Sequence, residues 1–148
     1  MMDISFIVPT YRPNVKWLND CVAAIIRTAS ICPQLKCEIL IGDDGSPDGM
    51  FECENDLTAL SPMVKVFRFP ENRGPGPTRN DLISQAKGRY IMPQDSDDIM
   101  LPFDLSRVVA FMDDNPSYIA SYARKYCFDD NGFPVLLHRV FLPYPISE

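Results

Sequence analysis

The chain has 148 residues, of which 46% are hydrophobic and 23% are charged. This composition predicts one globular domain with a buried core, over residues 1–148, and excludes a disordered chain. The net charge is −6 and the sequence pI is about 4.7, which argues against a nucleic-acid partner because nucleic-acid-binding proteins present basic faces. A nucleotide is not excluded, since a bound cation can reverse the local charge.

The cysteines and the apolar segments bear on the cell compartment. No apolar run approaches the roughly 20 residues that span a bilayer, and the start of the chain lacks a basic segment of the kind that opens a secretion signal. We therefore expect a cytoplasmic location and no transmembrane segment in this chain. The cysteines, with the single histidine His138, lack the close spacing of a zinc site. We predict buried free thiols at Cys21, Cys32, Cys37, Cys53 and Cys127.

Strand and helix patterns alternate along the chain. Strands are predicted at residues 4–8, 37–41, 64–69, 88–92 and 117–122, and helices at 14–28, from 46–48 to 60, at 77–87, and from 101 to about 115. The first strand is a nearly continuous apolar run, typical of a central strand, whereas the third alternates like an edge strand. An Asn-Gly turn at 129–132 predicts a hairpin that returns through 135–137. Alternation of this kind predicts an α/β fold with a mostly parallel sheet and helices on both faces.

An acidic cluster, Gln94-Asp95-Ser96-Asp97-Asp98, follows the fourth predicted strand. Carboxylates placed so closely repel one another unless a cation lies among them or a helix end uses them as caps. Capping of the predicted helix at Leu101 by Asp97 or Asp98 is the structural alternative. Because ligands bind at the carboxyl ends of parallel strands, we interpret the cluster as a divalent-metal site that holds the diphosphate of a nucleotide.

Two further polar loops follow predicted strands. Pro9 to Arg12 comes after the first strand and Asp43 to Ser46 after the second. In a parallel sheet these loops and the acidic cluster share one edge, so we expect them to converge. Read alone, Asp43 to Ser46 could also be only a turn that leads into a helix.

Five motifs in register resemble those of the inverting glycosyltransferase family 2, which has the GT-A fold. The motifs are Ile7-Val8-Pro9-Thr10-Tyr11, Asp43-Asp44-Gly45-Ser46-Pro47-Asp48, Asn72-Arg73-Gly74 with Arg79-Asn80, Ala86-Lys87-Gly88-Arg89-Tyr90-Ile91 and Asp95-Ser96-Asp97-Asp98. A single D-x-D is weak evidence, but five motifs in the expected order are specific. The resemblance covers about residues 3 to 132 and implies a GT-A, Rossmann-like α/β/α architecture.

The resemblance implies a nucleobase site in the first two loops. Pro9 and Thr10 would offer backbone contacts to the base, and Tyr11 would pack against its ring. Asp44 resembles the carboxylate that accepts a hydrogen bond from a base N–H. Asp43, also assigned to the nucleotide site, would mainly support the loop.

The remaining motifs imply the sugar-diphosphate end of the site. Arg79 resembles the basic residue near the base or the diphosphate, although Pro75, Pro77 and Thr78 depart from the family pattern and leave its role open. Asp95, with Ser96 beside it, would face ribose or sugar hydroxyls, and Asp97 would ligate the metal. A hard dication such as Mn²⁺ or Mg²⁺ takes one or two carboxylates together with substrate phosphates.

The resemblance therefore implies a metal-dependent glycosyltransferase donor domain that binds a nucleotide-sugar, most simply a UDP-sugar, and transfers the sugar with inversion to an acceptor hydroxyl. Such transfer needs a general base. No candidate follows Tyr122, because Asp129 and Asp130 belong to the hairpin turn, so we expect the base beyond residue 148 and the chain to stop before an acceptor-binding half.

The alternative is a non-catalytic nucleotide-binding module that needs a partner or a C-terminal half. A phosphate-transfer receiver would carry paired aspartates after the first strand, and a nucleotidyltransferase would carry a glycine-rich basic loop there. The chain has neither. The sequence does not specify the sugar, the acceptor, the linkage or, fully, the base.

Overall fold

The computed structural model describes residues 1–121 and the two short segments 127–128 and 134–135. Strands and helices alternate from the N-terminus, and four strands form one parallel sheet in the order β3-β2-β1-β4. The elements are β1 (Met2–Thr10), α1 (Val15–Ser30), β2 (Cys37–Asp43), α2 (Glu54–Leu60), β3 (Val64–Arg68), α3 (Pro75–Gln85), β4 (Gly88–Pro93), α4 (Leu105–Asp114), β5 (Cys127–Phe128) and β6 (Pro134–Val135). No helix of the described part of the chain is long and apolar enough to cross a membrane.

The two central strands are buried because their apolar runs are covered on both faces. Every residue of β2 is buried, as are the last seven residues of β1. Ile4 pairs with Cys37 and Thr10 with Asp43, so the two strands end level with each other at their carboxyl ends. The central position predicted for the first strand and the edge position predicted for the third are both confirmed.

The helices cover both faces of the sheet. On one face, Phe6 and Val8 of β1 pack in the main core with apolar residues of α1, α2 and α4. On the other face, Leu82 of α3 packs with Ile7 and Leu40. A side chain on Gly42 would lie 3.0 Å from Leu82, so this glycine lets α3 approach β2 closely. The predicted three-layer α/β/α architecture is confirmed.

Three helix starts differ from the prediction. Helix α2 begins at Glu54 rather than at 46–48, because the Ser46 amide donates to Asp43 Oδ1 and Gly49 turns the chain with a φ of 77°. Phe51, expected within that helix, is instead a buried loop residue. Helix α3 begins two residues earlier than predicted, with Pro75 in its first turn.

Helix α4 begins at Leu105 rather than near Leu101. Asp104 is its N-cap and accepts a hydrogen bond from the Ser106 amide at 3.0 Å. The acidic cluster therefore lies outside the cap of α4, and the capping alternative for Asp97 and Asp98 is wrong for this helix.

The prediction of a fifth strand at 117–122 is wrong over its described residues, 117–121, which form a turn and bend. The Tyr118 amide donates to the Asn115 carbonyl, and Ile119 is 85% exposed, so no strand of the described part of the chain covers this segment. Further along, Cys127 pairs antiparallel with Val135, and Phe128 with Pro134, as the predicted hairpin requires. The turn at 129–132, the return over 136–137 and the proline-rich tail lie outside the described residues.

Candidate functional site

A cleft of about 650 Å³ opens at the carboxyl ends of β1, β2 and β4, beside the N-terminus of α3. The three loops that we expected to converge meet at this cleft. Eight of the nine residues assigned to the nucleotide and metal sites line it: Pro9, Thr10, Tyr11, Asp44, Arg79, Asp95, Ser96 and Asp97. Asp43 is the ninth and is not among the lining residues.

Asp43 lies beneath the cleft, in the last position of β2. Its side chain is buried, with Oδ1 accepting from the Ser46 amide at 3.2 Å and Oδ2 lying 3.4 Å from Arg68 Nε on the neighbouring strand. These contacts hold the turn after β2 in place. The supporting role of Asp43 stays a prediction, and these two contacts are the observations in its favour.

Asp44 connects the turn after β2 to the loop that precedes α3. Its Oδ1 accepts from the Arg73 amide at 3.1 Å, and its Oδ2 accepts from the Gly74 amide at 2.7 Å. Burial acts to raise the pKa of this carboxyl, but the hydrogen bonds from Arg73, Thr78 and Gly74 and the charge of Arg73 outweigh burial, and the pKa is lowered. Asp44 is therefore an ionised residue that fixes the shape of one cleft wall.

The acidic cluster forms the opposite wall. The Gln94 amide donates to the Ile7 carbonyl at 3.0 Å, which continues the alignment of β4 with β1 up to the cluster. Asp95 Oδ1 lies 2.5 Å from Arg79 Nη2, so an ion pair joins the cluster to the first turns of α3. The start of α3 thus contacts both walls of the cleft, through Asp44 on one side and Asp95 on the other.

Cys21 of α1 contacts the backbone of the acidic cluster. Its buried thiol on α1 lies 3.4 Å from the Asp95 carbonyl oxygen, which it contacts as a hydrogen-bond donor. Burial, followed by the negative charges of Asp98, Asp97 and Asp95, raises the pKa of the thiol to about 12. The thiol therefore stays protonated near neutral pH and is a structural contact. The prediction of buried free thiols is confirmed for Cys21, Cys32, Cys37 and Cys53, while the side chain of Cys127 lies outside the described residues.

Thr10 and Asp97 each have a polar group in the cleft that lacks a protein partner among the described residues. Thr10 Oγ1 is buried and forms no hydrogen bond with any described residue. The Asp97 carboxylate is exposed and has neither a hydrogen bond nor an ion pair in the part of the chain that the structure describes. A buried hydroxyl without a partner costs about 1–3 kcal/mol, so the cleft has unmet hydrogen-bonding capacity that a ligand can use.

The donor set fits a cation that takes most of its ligands from a substrate. Within residues 1–121 and the two short segments, no group of three or more His, Cys, Asp or Glu side chains could hold a metal by itself. One open carboxylate, Asp97, faces a cleft large enough for further oxygen ligands. This is the pattern for Mg²⁺ or Mn²⁺ bound through one or two carboxylates plus phosphates.

Two large side chains of the cleft were not singled out from the sequence. Arg12 follows Tyr11 in the loop after β1, and Trp17 lies in the first turn of α1. Trp17 is 55% exposed and stands apart from the buried stripe of α1, which includes Leu18, Val22 and Ile25. An aromatic residue off the apolar stripe of a helix was the available signal for Trp17.

The sequence profile of glycosyl transferase family 2 matches residues 5–147. The chain belongs to this family. The resemblance drawn from the five motifs is therefore confirmed, and so is the GT-A class of the fold, which solved family members share. The family match covers almost the whole chain, including every residue of the cleft.

Several relatives are glycosyltransferases. An uncharacterised glycosyltransferase of Haemophilus influenzae is 32% identical over 109 residues, which are 74% of this chain and 42% of that protein. The poly(ribitol-phosphate) beta-N-acetylglucosaminyltransferase TarS of Staphylococcus aureus is 31% identical over 119 residues, 79% of this chain and 20% of TarS. The chain thus spans less than half the length of either relative.

Solved structures of glycosyltransferases superpose on this chain. The structure of S. aureus TarS residues 1–349 in complex with UDP-GlcNAc superposes with a TM-score of 0.66 at 28% identity, over 78% of this chain and 32% of that one. A Pyrobaculum calidifontis mannosyltransferase in complex with GDP-Man and Mn²⁺ shares the fold, with a TM-score of 0.57 at 20% identity, over 65% of this chain and 28% of that one.

Proposed function

We propose that this chain is the donor-binding part of a glycosyltransferase, and that its cleft binds a nucleotide-sugar, most simply a UDP-sugar, for inverting transfer to an acceptor hydroxyl. The convergence of eight separately assigned residues on one cleft is the observation that carries the proposal. Family membership supports sugar transfer as the chemistry, and the TarS complex with UDP-GlcNAc supports UDP as the nucleotide.

The nucleobase end of the donor lies at the loop after β1. Tyr11 is 39% exposed at the cleft, which leaves its ring able to pack against a base. The unpartnered Thr10 hydroxyl can hydrogen-bond a polar edge of the base or the ribose. Both oxygens of Asp44 already accept backbone amides, so an additional bond from a base N–H would use a remaining lone pair.

The diphosphate end lies at the acidic cluster, where Asp97 is the protein ligand for Mn²⁺ or Mg²⁺. When bound, a divalent cation supplies positive charge that stabilises the departing nucleoside diphosphate. Asp95 accepts from Arg79 through Oδ1, which leaves Oδ2 for a ribose or sugar hydroxyl. Ser96, between the two carboxylates, lines the same wall.

Titration calorimetry with UDP and with UDP-GlcNAc, each in Mn²⁺ or in EDTA, tests the proposal. We expect binding that is strongest for the metal-containing samples. Asp97→Asn should reduce the affinity in Mn²⁺ by about tenfold or more, to the level seen in EDTA, because a neutral amide is a much weaker ligand for a hard dication.

Asp114→Asn is the matched control, because Asp114 is an exposed aspartate at the end of α4 and outside the cleft. Its affinity should equal that of the unmodified chain. An absence of binding heat at millimolar nucleotide would show that the cleft is not a nucleotide site. An equal loss in both variants would show a general charge effect rather than a metal ligand.

The second candidate function is nucleotide binding without turnover. It is favoured by the state of the cleft carboxylates: Asp44 is bonded to two amides, Asp95 is paired with Arg79, and Asp97 is assigned to the metal. None of these three is then available as a general base. A UDP-release assay with the chain alone and with a longer version of the protein separates the two functions, since only a complete transferase releases UDP faster when an acceptor is added.

A further inference from the structure

Arg12 occupies an unusual place in the cleft. Its backbone amide donates to Ser46 Oγ at 2.8 Å, and its guanidinium carbon lies 5.0 Å from the centre of the Tyr11 ring. It forms no ion pair with any carboxylate among the described residues. One loop holds its backbone and an aromatic ring contacts its side chain, while no carboxylate of the described residues neutralises its charge.

The charges around the cleft make this lone guanidinium significant. Arg12 and Arg79 are the two cationic residues that line the cleft in the described part of the chain, and Arg79 is already paired with Asp95 at 2.5 Å. A diphosphate carries several negative charges and must enter a cleft that also contains Asp97. Apart from a cation at Asp97, the charge available to the diphosphate is that of Arg12, because no carboxylate among the lining residues neutralises it.

The backbone of Arg12 is also strained. Its φ of 47° lies in the left-handed region and is the only positive φ of a non-glycine residue in the described part of the chain. Residues with a Cβ adopt this region at a cost in free energy, and such strain collects at ligand sites where surrounding contacts enforce it. The Ser46 hydroxyl provides the enforcing contact, so the turn fixes the direction in which Arg12 leaves the main chain.

We propose that Arg12 binds a phosphate oxygen of the nucleoside diphosphate, with the Tyr11 ring holding the guanidinium by a cation–π contact. Arginine suits this role because its planar fork donates two parallel hydrogen bonds to phosphate oxygens. The inference rests on the proposed function, since it takes the ligand of the cleft to be a nucleotide. It adds a second phosphate contact to the one at the acidic cluster, and both groups line the same cleft.

Fluorescence of Trp17 offers a direct test, because it is the single tryptophan of the chain and lines the cleft. Uridine, UMP and UDP are titrated in Mn²⁺ into the unmodified chain and into Arg12→Asn. Asparagine adopts the left-handed region more readily than other residues with a Cβ, so this variant removes the charge without opposing the turn. We expect about a tenfold weaker affinity for UDP, as for one lost charge-assisted contact, and an unchanged affinity for uridine.

Arg27→Asn is the control, because Arg27 is an exposed arginine in the last turn of α1, outside the cleft. It should leave all three affinities unchanged, and Arg12→Lys should give an intermediate loss for UDP. Equal losses for uridine and UDP in Arg12→Asn would overturn the inference, because Arg12 would then act at the base. An unchanged affinity for UDP would also overturn it.

The same titrations separate this inference from the proposed function. If the unmodified chain does not bind UDP, the proposed function fails at that step. If the unmodified chain binds UDP and Asp97→Asn weakens that binding, the proposed function stands, and the ratio between Arg12→Asn and the unmodified chain decides the role of Arg12 alone.

Discussion

The amino ends and the carboxyl ends of the parallel strands, here called the amino edge and the carboxyl edge of the sheet, differ in how their polar side chains are paired. At the amino edge, buried Glu38 accepts from Ser5 Oγ at 2.8 Å, from the Lys87 amide at 2.7 Å and from Lys65 Nζ at 2.7 Å. Ser5 Oγ in turn accepts from the Gly88 amide at 2.8 Å. Every polar group in this network has a partner, and the network joins β1, β2, β3 and the start of β4.

At the carboxyl edge, the pairing is incomplete. Three polar groups there have no hydrogen-bond or ion-pair partner among the described residues: the Thr10 hydroxyl, the Asp97 carboxylate and the Arg12 guanidinium. A buried polar group stabilises a fold only when it is satisfied. The satisfied edge therefore holds the strands together, whereas the other edge has hydrogen-bonding and charged groups that a ligand can satisfy.

Loss of Glu38 should have the largest effect on stability. Glu38→Ala leaves the Ser5 hydroxyl and the Lys87 amide without an acceptor and Lys65 without its counter-ion. We expect the free energy of unfolding to fall by about 3 kcal/mol, the lower end for a broken buried pair, because Lys65 is 43% exposed and can regain water. Urea denaturation measures the loss.

Glu52→Ala is the control for this prediction, since Glu52 is an exposed glutamate without a hydrogen bond or ion pair among the described residues. Its unfolding free energy should change by less than about 0.5 kcal/mol. A loss below about 1 kcal/mol in Glu38→Ala would mean that the amino edge is not a stabilising network.

A methyl group at Gly88 should disturb the same edge from the backbone side. The added Cβ would lie 2.4 Å from the Ser5 amide nitrogen and 2.7 Å from the Ile4 carbonyl carbon, and neither backbone atom can move without separating β4 from β1. We expect Gly88→Ala to lower the unfolding free energy by about 2–3 kcal/mol.

Gly76→Ala is its counterpart at the carboxyl edge. Nothing lies within 4 Å of the Cβ position of Gly76, which is in the first turn of α3. Because alanine favours the helix over glycine, this variant should be neutral or more stable by up to about 1 kcal/mol. Similar losses in the two variants would contradict the difference between the edges.

The pH dependence of stability should follow Glu38. Burial acts to raise the pKa of this carboxyl, but hydrogen bonds from Lys65, Lys87 and Ser5 and the charge of Lys65 prevail and lower it below the ordinary value of 4.5. The unfolded chain then binds more protons than the folded chain in acid, so this stabilisation is present above pH 4.5 and is lost as the pH falls through the lowered pKa.

We therefore expect Glu38→Gln to lose less stability than the unmodified chain when the pH falls from neutral to acid, as measured by urea midpoints across that range. The remaining acid sensitivity should include Asp44, whose pKa is also lowered. In Asp114→Asn, the urea midpoint should fall with decreasing pH as steeply as in the unmodified chain. Parallel slopes for Glu38→Gln and the unmodified chain would exclude Glu38 as a source of the pH dependence.

The four strands of the parallel sheet and the convergence of the loops could be predicted because they depend on local patterns. Continuous apolar runs identified β1 and β2, and parallel topology then placed their polar ends at one edge. Helix starts were less predictable. Serine is a common N-cap residue, yet the Ser46 hydroxyl accepts from the Arg12 backbone amide instead. That contact depends on how β1 and β2 align.

The same limit applies to the site. The sequence identified acidic residues in motifs, but it could not show that Asp44 is bound by Arg73 and Gly74 amides 29 and 30 residues away while Asp97 is left open. Arg12 was missed for a related reason. An arginine in a loop is usually solvated, and only the folded chain shows its strained backbone and unpaired charge inside the cleft.

Asp97→Asn should have the smallest effect on stability of these substitutions. Asp97 contributes no hydrogen bond or ion pair within the described residues, and it lies two residues from Asp95 in a cluster of like charges. Removing its charge should leave the unfolding free energy within about 0.5 kcal/mol of the original value, with a slight gain at low ionic strength that salt screening removes. Urea denaturation at two salt concentrations measures both.

A loss of several kcal/mol in Asp97→Asn would mean that Asp97 supports the fold, as Glu38 does, and would remove the main reason to assign it to a ligand. The expected result, near-native stability together with weakened metal-dependent nucleotide binding, separates the two roles in one variant. Glu38→Gln provides the reverse case, because its site lies at the far edge of the sheet: it should lower stability and leave nucleotide affinity unchanged.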